Sequence, residues 1–369
     1  MSTVCLNMIV RNEAHVIRRC LSSVRPFIDH WVIVDTGSTD GTQDVIREFM
    51  HGVPGELFER PWKDFGHNRS EAIALAHGRA DYLFMIDADE VLELPPAYRR
   101  PNLTQKAYAL DVAFSGINYG RVCLVRDALP WRYVGVLHEY LECGEAVDKP
   151  FLLGPRVLVY TDGGRSQQDV KVKYANDARV LEQGLRDEPG NTRYQFYLAQ
   201  SYRDSGQPEK ALSAYESRAG QGGWNEEVWY SRYSAALLSE QLQQDPAAII
   251  DRYLLAFESR PCRAETLGQL ARYCREQKRY AAARLFARRG MELAVPEDLL
   301  FLDRSFYEWR CRDEFSIASY WTGDFEDCRR VSTDLLRDPR LPQVQRPRVL
   351  ENLRFAQKAL GLPTEPDPT

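Results

Sequence analysis

Residues 80–92 read ADYLFMIDADEVL, an apolar run over 82–86 that stops abruptly at Asp87, Asp89 and Glu90. A run of this length, rich in aromatic and branched residues, predicts a buried parallel strand. Its carboxyl end then carries acids. In open α/β sheets that edge is where ligands bind, and two carboxylates separated by one small residue can reach a single hard cation from the same side, which suits a diphosphate ligand. Taken alone, Asp-x-Asp reads more readily as a solvated turn after a strand, so the neighbouring segments decide.

The chain has 369 residues, 44% of them hydrophobic and 27% charged, which places it among globular proteins with room for two or three cores. A net charge of -5 leaves no basic excess for a nucleic-acid partner. The eight cysteines lack any C-x-x-C spacing, so neither a zinc site nor a disulfide framework is expected, and reduced thiols in a cytoplasmic chain fit best. The amino terminus, MSTVCLNMIVRNE, reads as a first strand and not a signal peptide, and no later segment is expected to span a membrane.

Residues 4–10 are that first strand, followed by a loop at Arg11-Asn12-Glu13 and a helix over 15–24 with Val16, Ile17, Cys20, Leu21 and Val24 on one face. Residues 30–34 repeat the pattern and end in Asp35-Thr36-Gly37-Ser38, with a helix over 43–50. A third strand over 56–60 and a third helix over 68–77 lead to the strand at 82–86, and this alternation predicts a mostly parallel sheet. Residues 108–114 and 121–125 look like a hairpin, and 156–160 like a last strand. Beyond about Lys171 strand signals vanish. Small and aromatic residues over 194–219, 270–291 and 317–336 recur at tetratricopeptide offsets, with a degenerate unit over 228–260 and an irregularity at Asp245-Pro246.

Three loops thus converge on one sheet edge. The stretches VDTGSTDGT (34–42), HNRSEA (67–72), MIDADE (85–90) and VGVLHEYL (134–141) resemble the GT-A fold, family 2 glycosyltransferases, and in particular the bacterial group, including the sublancin S-glycosyltransferase, that fuses this domain to tetratricopeptide helices. The resemblance implies an α/β, Rossmann-like domain over residues 1–165, an all-α tetratricopeptide-like solenoid over 166–362, and a disordered tail over 363–369. It also implies base or ribose contacts for Val10, Arg11, Glu13 and Asp35, a nucleotide-facing Arg69, Asp87 on the ribose or metal side, Asp89 as metal ligand, and His138 near the metal and acceptor. Glu13 could equally cap its helix. Gly37 has a reason of its own, since a missing side chain lets backbone amides approach an anion. Ser38, Thr39 and Thr42 read as turn and cap residues, and Arg121 and Arg126 serve either phosphates or surface acids.

The expectation is a glycosyltransferase dependent on Mn2+ or Mg2+, moving a sugar with inversion from a nucleotide-sugar donor, UDP-linked, to a hydroxyl or thiol of a protein, peptide or glycan. Inversion needs a base beyond the sugar from the metal, and Glu139 is the candidate; if it instead orients His138 or pairs with Arg132, Glu90 or Asp111 inherits the role. The helical half would select the acceptor or a partner, and offers a surface for a homodimer. Two rivals remain: a tetratricopeptide interaction protein with an inactive nucleotide fold, and a haloacid-dehalogenase-like phosphatase, whose Asp-x-Asp normally lies near the start of the fold.

Overall fold

The computed structural model describes residues 2–115 and 117–363. Two compact units divide at Met1–Gly190 and Asn191–Thr369. In the first, β1 (Val4–Val10), β2 (His30–Asp35), β3 (Gly55–Glu59) and β4 (Tyr82–Met85) run parallel in the order β3-β2-β1-β4. The crossovers are α1 (Ile17–Val24), α2 (Thr42–Phe49) and α3 (Phe65–Ala76). β1 is buried almost throughout because both faces are covered. Leu6, Met8 and Val10 pack with Ile17, Cys20, Leu21 and Val24 of α1 in one core, while Cys5 packs with Ile73 and Ala76 of α3 in the other. Each such large apolar side chain contributes about 1.5–3 kcal/mol on burial. Asn7, the polar residue on the α3 side, donates its Nδ2 to Ala72 O at 2.7 Å, so the interior tolerates it.

The sheet continues through an antiparallel hairpin, β6 (Ala107–Phe114) with β7 (Ile117–Arg126), then β10 (Phe151–Val159) parallel to β6, and ends at β5 (Glu90–Glu93). Eight of these elements, β1–β4, α1–α3 and β6, sit within a residue or a few of where the periodicity puts them, but two features differ. Glu90 does not belong to a solvated turn; it opens β5 and is only 2% exposed. β10 starts at Phe151 and not near Arg156; a register shift between Phe151 and Arg156 lets the strand run through Gly154-Pro155. A small separate ribbon, β8 (Arg132–Val134) with β9 (Tyr140–Glu142), carries the loop containing His138 and Glu139.

Strands end at Val159, and α4 (Val170–Asp187) groups with the first unit. The second unit is entirely helical, with α5 (Thr192–Asp204), α6 (Pro208–Gly220), α7 (Asn225–Gln241), α8 (Pro246–Ser259), α9 (Ala264–Glu276), α10 (Tyr280–Met291), α11 (Cys311–Trp321), α12 (Phe325–Arg337) and α13 (Arg346–Ala359), each packed on its sequence neighbours. A π-helical turn at Phe306–Arg310 precedes α11. The first helix of each pair ends in a left-handed residue: Gly206, Gln243, Lys278 and Gly323, with φ of 78°, 51°, 57° and 82°. The unit that looks degenerate in sequence is therefore regular in backbone; Gln243 and Lys278 stand where glycine would advertise the turn. Asp245-Pro246 is likewise no irregularity, since Asp245 caps α8 by accepting from Ala247 N and Ala248 N and Pro246 takes the first helical position. Among the described residues no helix is long and apolar enough to cross a membrane. The tail expected over 363–369 lies, apart from Pro363, outside the described residues.

Candidate active site at the sheet switch point

β2 and β3 lie to one side of β1 and β4 to the other, so the strand order reverses between β1 and β4, where a crevice opens at the carboxyl edge of such sheets. Asp35 closes β2 at 1% exposure. Its Oδ1 accepts from Gly37 N and Ser38 N, each at 2.9 Å, and from Gln43 Nε2 at 3.1 Å, while its Oδ2 is buried with no hydrogen-bond partner among the described residues. A dry carboxylate oxygen without a donor is costly and needs a reason. Gly37, at φ 107°, makes the turn possible. Ser38, Thr39 and Thr42 fasten the neighbouring loop: Ser38 Oγ accepts from Asn12 N, Thr39 N donates to Asn12 Oδ1, and Thr42 Oγ1 accepts from Glu13 N. Val10 holds Thr36 through its carbonyl, and Arg11 stands exposed on the same edge.

Glu13 does something the sequence did not suggest. Its carbonyl accepts from Val16 N and Ile17 N at the start of α1, but its side chain caps no helix; it accepts from Gly164 N at 3.1 and 3.2 Å. Residues 160–164 thereby close on the edge. A Cβ on Gly164 would lie 2.4 Å from Asn12 O, and one on Gly163 2.8 Å from Asp89 Oδ2, so this glycine pair permits the approach. Arg19 clamps the segment with two 2.7 Å bonds to Asp162. Burial, opposed by the Gly164 amide and reinforced by Asp89, pushes the Glu13 carboxyl up to about 7.

On the β4 side, Arg69 of α3 lies between two acids. Its Nη2 donates to Asp87 Oδ1 at 2.8 Å, and its Nε makes an ion pair with Glu139 Oε1 at 2.8 Å that lacks hydrogen-bond geometry. The preceding residue, Asn68, is fully buried and structural: it accepts from Lys63 N and donates to Pro61 O. α3 holds the Glu139 loop close, with Phe65 N bonded to Val136 O. Gly66 packs so tightly on Gly135 O that an added Cβ would lie 2.2 Å away. Gly66→Ala is therefore expected to displace this loop and lower activity while Asp35 keeps its bonds, which amide NMR shifts confined to the two loops would report.

Arg69, Asp87 and Glu139 line one cavity of about 440 Å³ with Gly120, Arg121, Tyr133, Tyr140, Leu141 and Lys149. Burial raises the Asp87 carboxyl, but Arg69 and then Arg121 outweigh it and bring it below its ordinary value. Asp89 goes the other way: burial first, then the charges of Asp87 and Glu90, push it up to about 6. Glu90 is locked by Arg121, at 2.7 and 2.5 Å, and accepts from Asp87 N at 3.1 Å. Asp111 pairs with Arg156 at 3.0 Å, and Arg132 pairs with Glu142, not with Glu139. His138 is exposed with a left-handed backbone, φ 53°. Among the described residues no three His, Cys, Asp or Glu side chains form a group able to hold a metal. Sequence reasoning missed Tyr133, Lys149 and residues 160–164; only the Gly163-Gly164 pair signalled the last.

By fold and site the first unit is an α/β domain built to hold a ligand at its switch point. Residues 5–98 match the glycosyl transferase family 2 model. It is 27% identical to a TPR repeat-containing protein of Synechococcus elongatus over 70% of this chain and 66% of that one. It is 24% identical to the SPbeta prophage-derived glycosyltransferase SunS of Bacillus subtilis over 57% of this chain and 51% of that one. The chain thus spans about half to two-thirds of the length of these curated relatives. Among solved structures, a tetratricopeptide repeat protein from Parabacteroides merdae is similar over 52% of this chain and 68% of its own, with a TM-score of 0.38 and 18% identity.

Proposed function

We propose that this protein is an inverting glycosyltransferase that takes a sugar from a nucleotide-sugar, UDP-linked, donor and passes it to a hydroxyl or thiol acceptor. The observation that carries this reading is the buried, unpartnered Asp35 Oδ2 at the same edge as Asp87 and Asp89. An N–H of a base or an O–H of a ribose supplies the donor that this oxygen lacks, and the acid pair lies where the diphosphate would follow. Arg69 orients Asp87 and Glu139, and Glu139 faces the cavity where it would take the acceptor's proton as the anomeric bond forms.

The donor set at Asp87 and Asp89 is all oxygen and rich in negative charge, which fits Mn2+ or Mg2+, cations that commonly use one or two carboxylates and complete their shell with phosphate and water. Bound there, such a cation would offset charge on the leaving diphosphate. Asp87 and Asp89 would hold it. UDP is therefore expected to bind at least ~10-fold more tightly in Mn2+ than in chelator, and Asp89→Ala to remove that difference, as titration calorimetry would measure. Equal affinity in Mn2+ and chelator would overturn the metal-dependent reading.

A further inference from the structure

In the helical unit, four residues join α6 to α7 and four join α8 to α9, but fourteen, 292–305, separate α10 from the π-helical turn before α11. Closing one helix connection does not need that length. The surplus runs back over the earlier helices. Leu299 N and Leu300 N donate to Glu226 of α7 at 2.9 and 2.7 Å, Arg263 at the start of α9 donates to Leu300 O and Phe301 O, each at 3.1 Å, and Asp303 N donates to Glu265 of α9 at 3.0 Å. Asp298 pairs with Arg260 and Arg263. Leu300 packs on the apolar cluster that joins Phe196 of α5, Tyr215 of α6 and Leu238 of α7, and the centre of the Phe301 ring lies 4.6 Å from that of Tyr230. Otherwise the segment stays outside the core: Leu299 is 86% exposed, Phe301 51% and Val295 41%. Phe301 is also held at φ 46°, a left-handed backbone that is costly for a bulky residue and that contact, not local preference, imposes.

We infer that residues 295–303 are a tethered occupant of a polypeptide-docking face on α7 and α9, and that a partner chain with an acid two places before a leucine displaces them. The occupant already seated shows the class of ligand. Glu226 and Arg263 bond successive main-chain N–H and C=O groups, which any polypeptide offers in this pattern and a glycan or lipid does not. Side-chain choice enters through the two arginines at Asp298 and the apolar seat of Leu300. The attachment is of a kind that exchanges. When the segment lifts, Glu226, Arg260 and Arg263 regain water, one large apolar side chain leaves its seat, and Phe301 relaxes from its left-handed backbone. Against this, the tether keeps the segment at an effective concentration on the order of mM, so the face of the wild-type protein is nearly closed to a free peptide. Nothing in this docking depends on glycosyl transfer.

The test uses the full-length protein and a fluorescent peptide of residues 294–303, read by anisotropy. Leu300→Ser in the protein loosens its own segment, so that variant should bind the peptide roughly tenfold more tightly than wild type does, the scale of one large apolar side chain. A peptide carrying Asp298→Ala and Leu300→Ser should fail to bind it. In the wild-type protein, amides over 293–303 should exchange hydrogen at least ~100-fold faster than those of α7 and α9. Equal peptide binding by wild type and variant would overturn the proposal, as would no binding by a Leu300→Ser protein whose helical circular dichroism is intact. Loss of that circular dichroism, or exchange over 293–303 as slow as in α7 and α9, would make the segment part of the unit's core and overturn it equally. A wild-type dimer that Leu300→Ser dissociates, seen by light scattering, would seat the segment on a second copy and remove the tethered reading.

Discussion

Glu139→Gln is expected to lower transfer to a hydroxyl acceptor by ~10²–10⁴-fold, the range over which general bases act, while leaving nucleotide and metal affinity near wild type. Gln fills the same volume and keeps an oxygen facing Arg69, so the cavity wall persists; only the basic carboxylate is lost. The rival bases are already committed elsewhere. Glu90 is buried and held by two bonds from Arg121, and Asp111 pairs with Arg156 on the sheet. Glu139, 13% exposed in its side chain, is the acid beside Arg69 that also borders the cavity across from Asp87. The measurement is single-turnover transfer to a hydroxyl acceptor, because a thiol ionises with little help and would mask the loss. A rate close to wild type would take Glu139 out of the reaction.

The second large effect lies in the helical unit. Arg263→Met is expected to destabilise that unit by about 3–5 kcal/mol, the cost of breaking a buried ion pair from one side. Arg263 is fully buried, stacked 3.7 Å from the centre of the Trp229 ring. It pairs with Glu265 at 2.9 and 3.1 Å and with Asp298 at 3.1 Å, and donates to Leu300 O and Phe301 O, each at 3.1 Å. From the other side Glu226 accepts from Leu299 N and Leu300 N, at 2.9 and 2.7 Å. An extended segment between α10 and α11 is thus read by charged side chains through its backbone. Met would fill the space over Trp229 but strand Glu265 and both carbonyls. Asp298 keeps Arg260, which is the first cause of its lowered carboxyl pKa, with Arg263 contributing as well. A depressed folded value means that this share of stability is present above the ordinary carboxylate range, near about pH 4, and is lost as pH falls through the folded value. Urea unfolding followed by helical circular dichroism would show the loss; a change under about 1 kcal/mol would mean that the ion network contributes little to holding the segment.

Much of this protein was legible in the chain itself. Alternating apolar runs and helical faces placed β1, α1, β2, α2 and β4 to within about two residues, because each is decided by local periodicity and covered on both sides. The acids at strand ends were equally plain: Asp35, Asp87 and Asp89 follow apolar runs directly. What periodicity cannot carry is who meets whom. That Arg69 rather than Asn68 faces the cavity depends on the rotation of α3 against β1, and that Glu139 pairs with Arg69 rather than Arg132 depends on a loop crossing between two small strands. Glu13 holds Gly164 from 151 residues away, and Glu90 is buried by an arginine 31 residues on, contacts that only chain closure creates. The solenoid teaches the same point in its backbone, where Gln243 and Lys278 adopt the left-handed turn of Gly206 and Gly323 because the packing of the flanking helices imposes it. The sequence by itself determined the alternating strands and helices up to β4 and which acids stand at the sheet edge. The tertiary structure alone decided the charge partners, since a pKa and an ion pair follow from burial and distance, and neither is a local property of the chain.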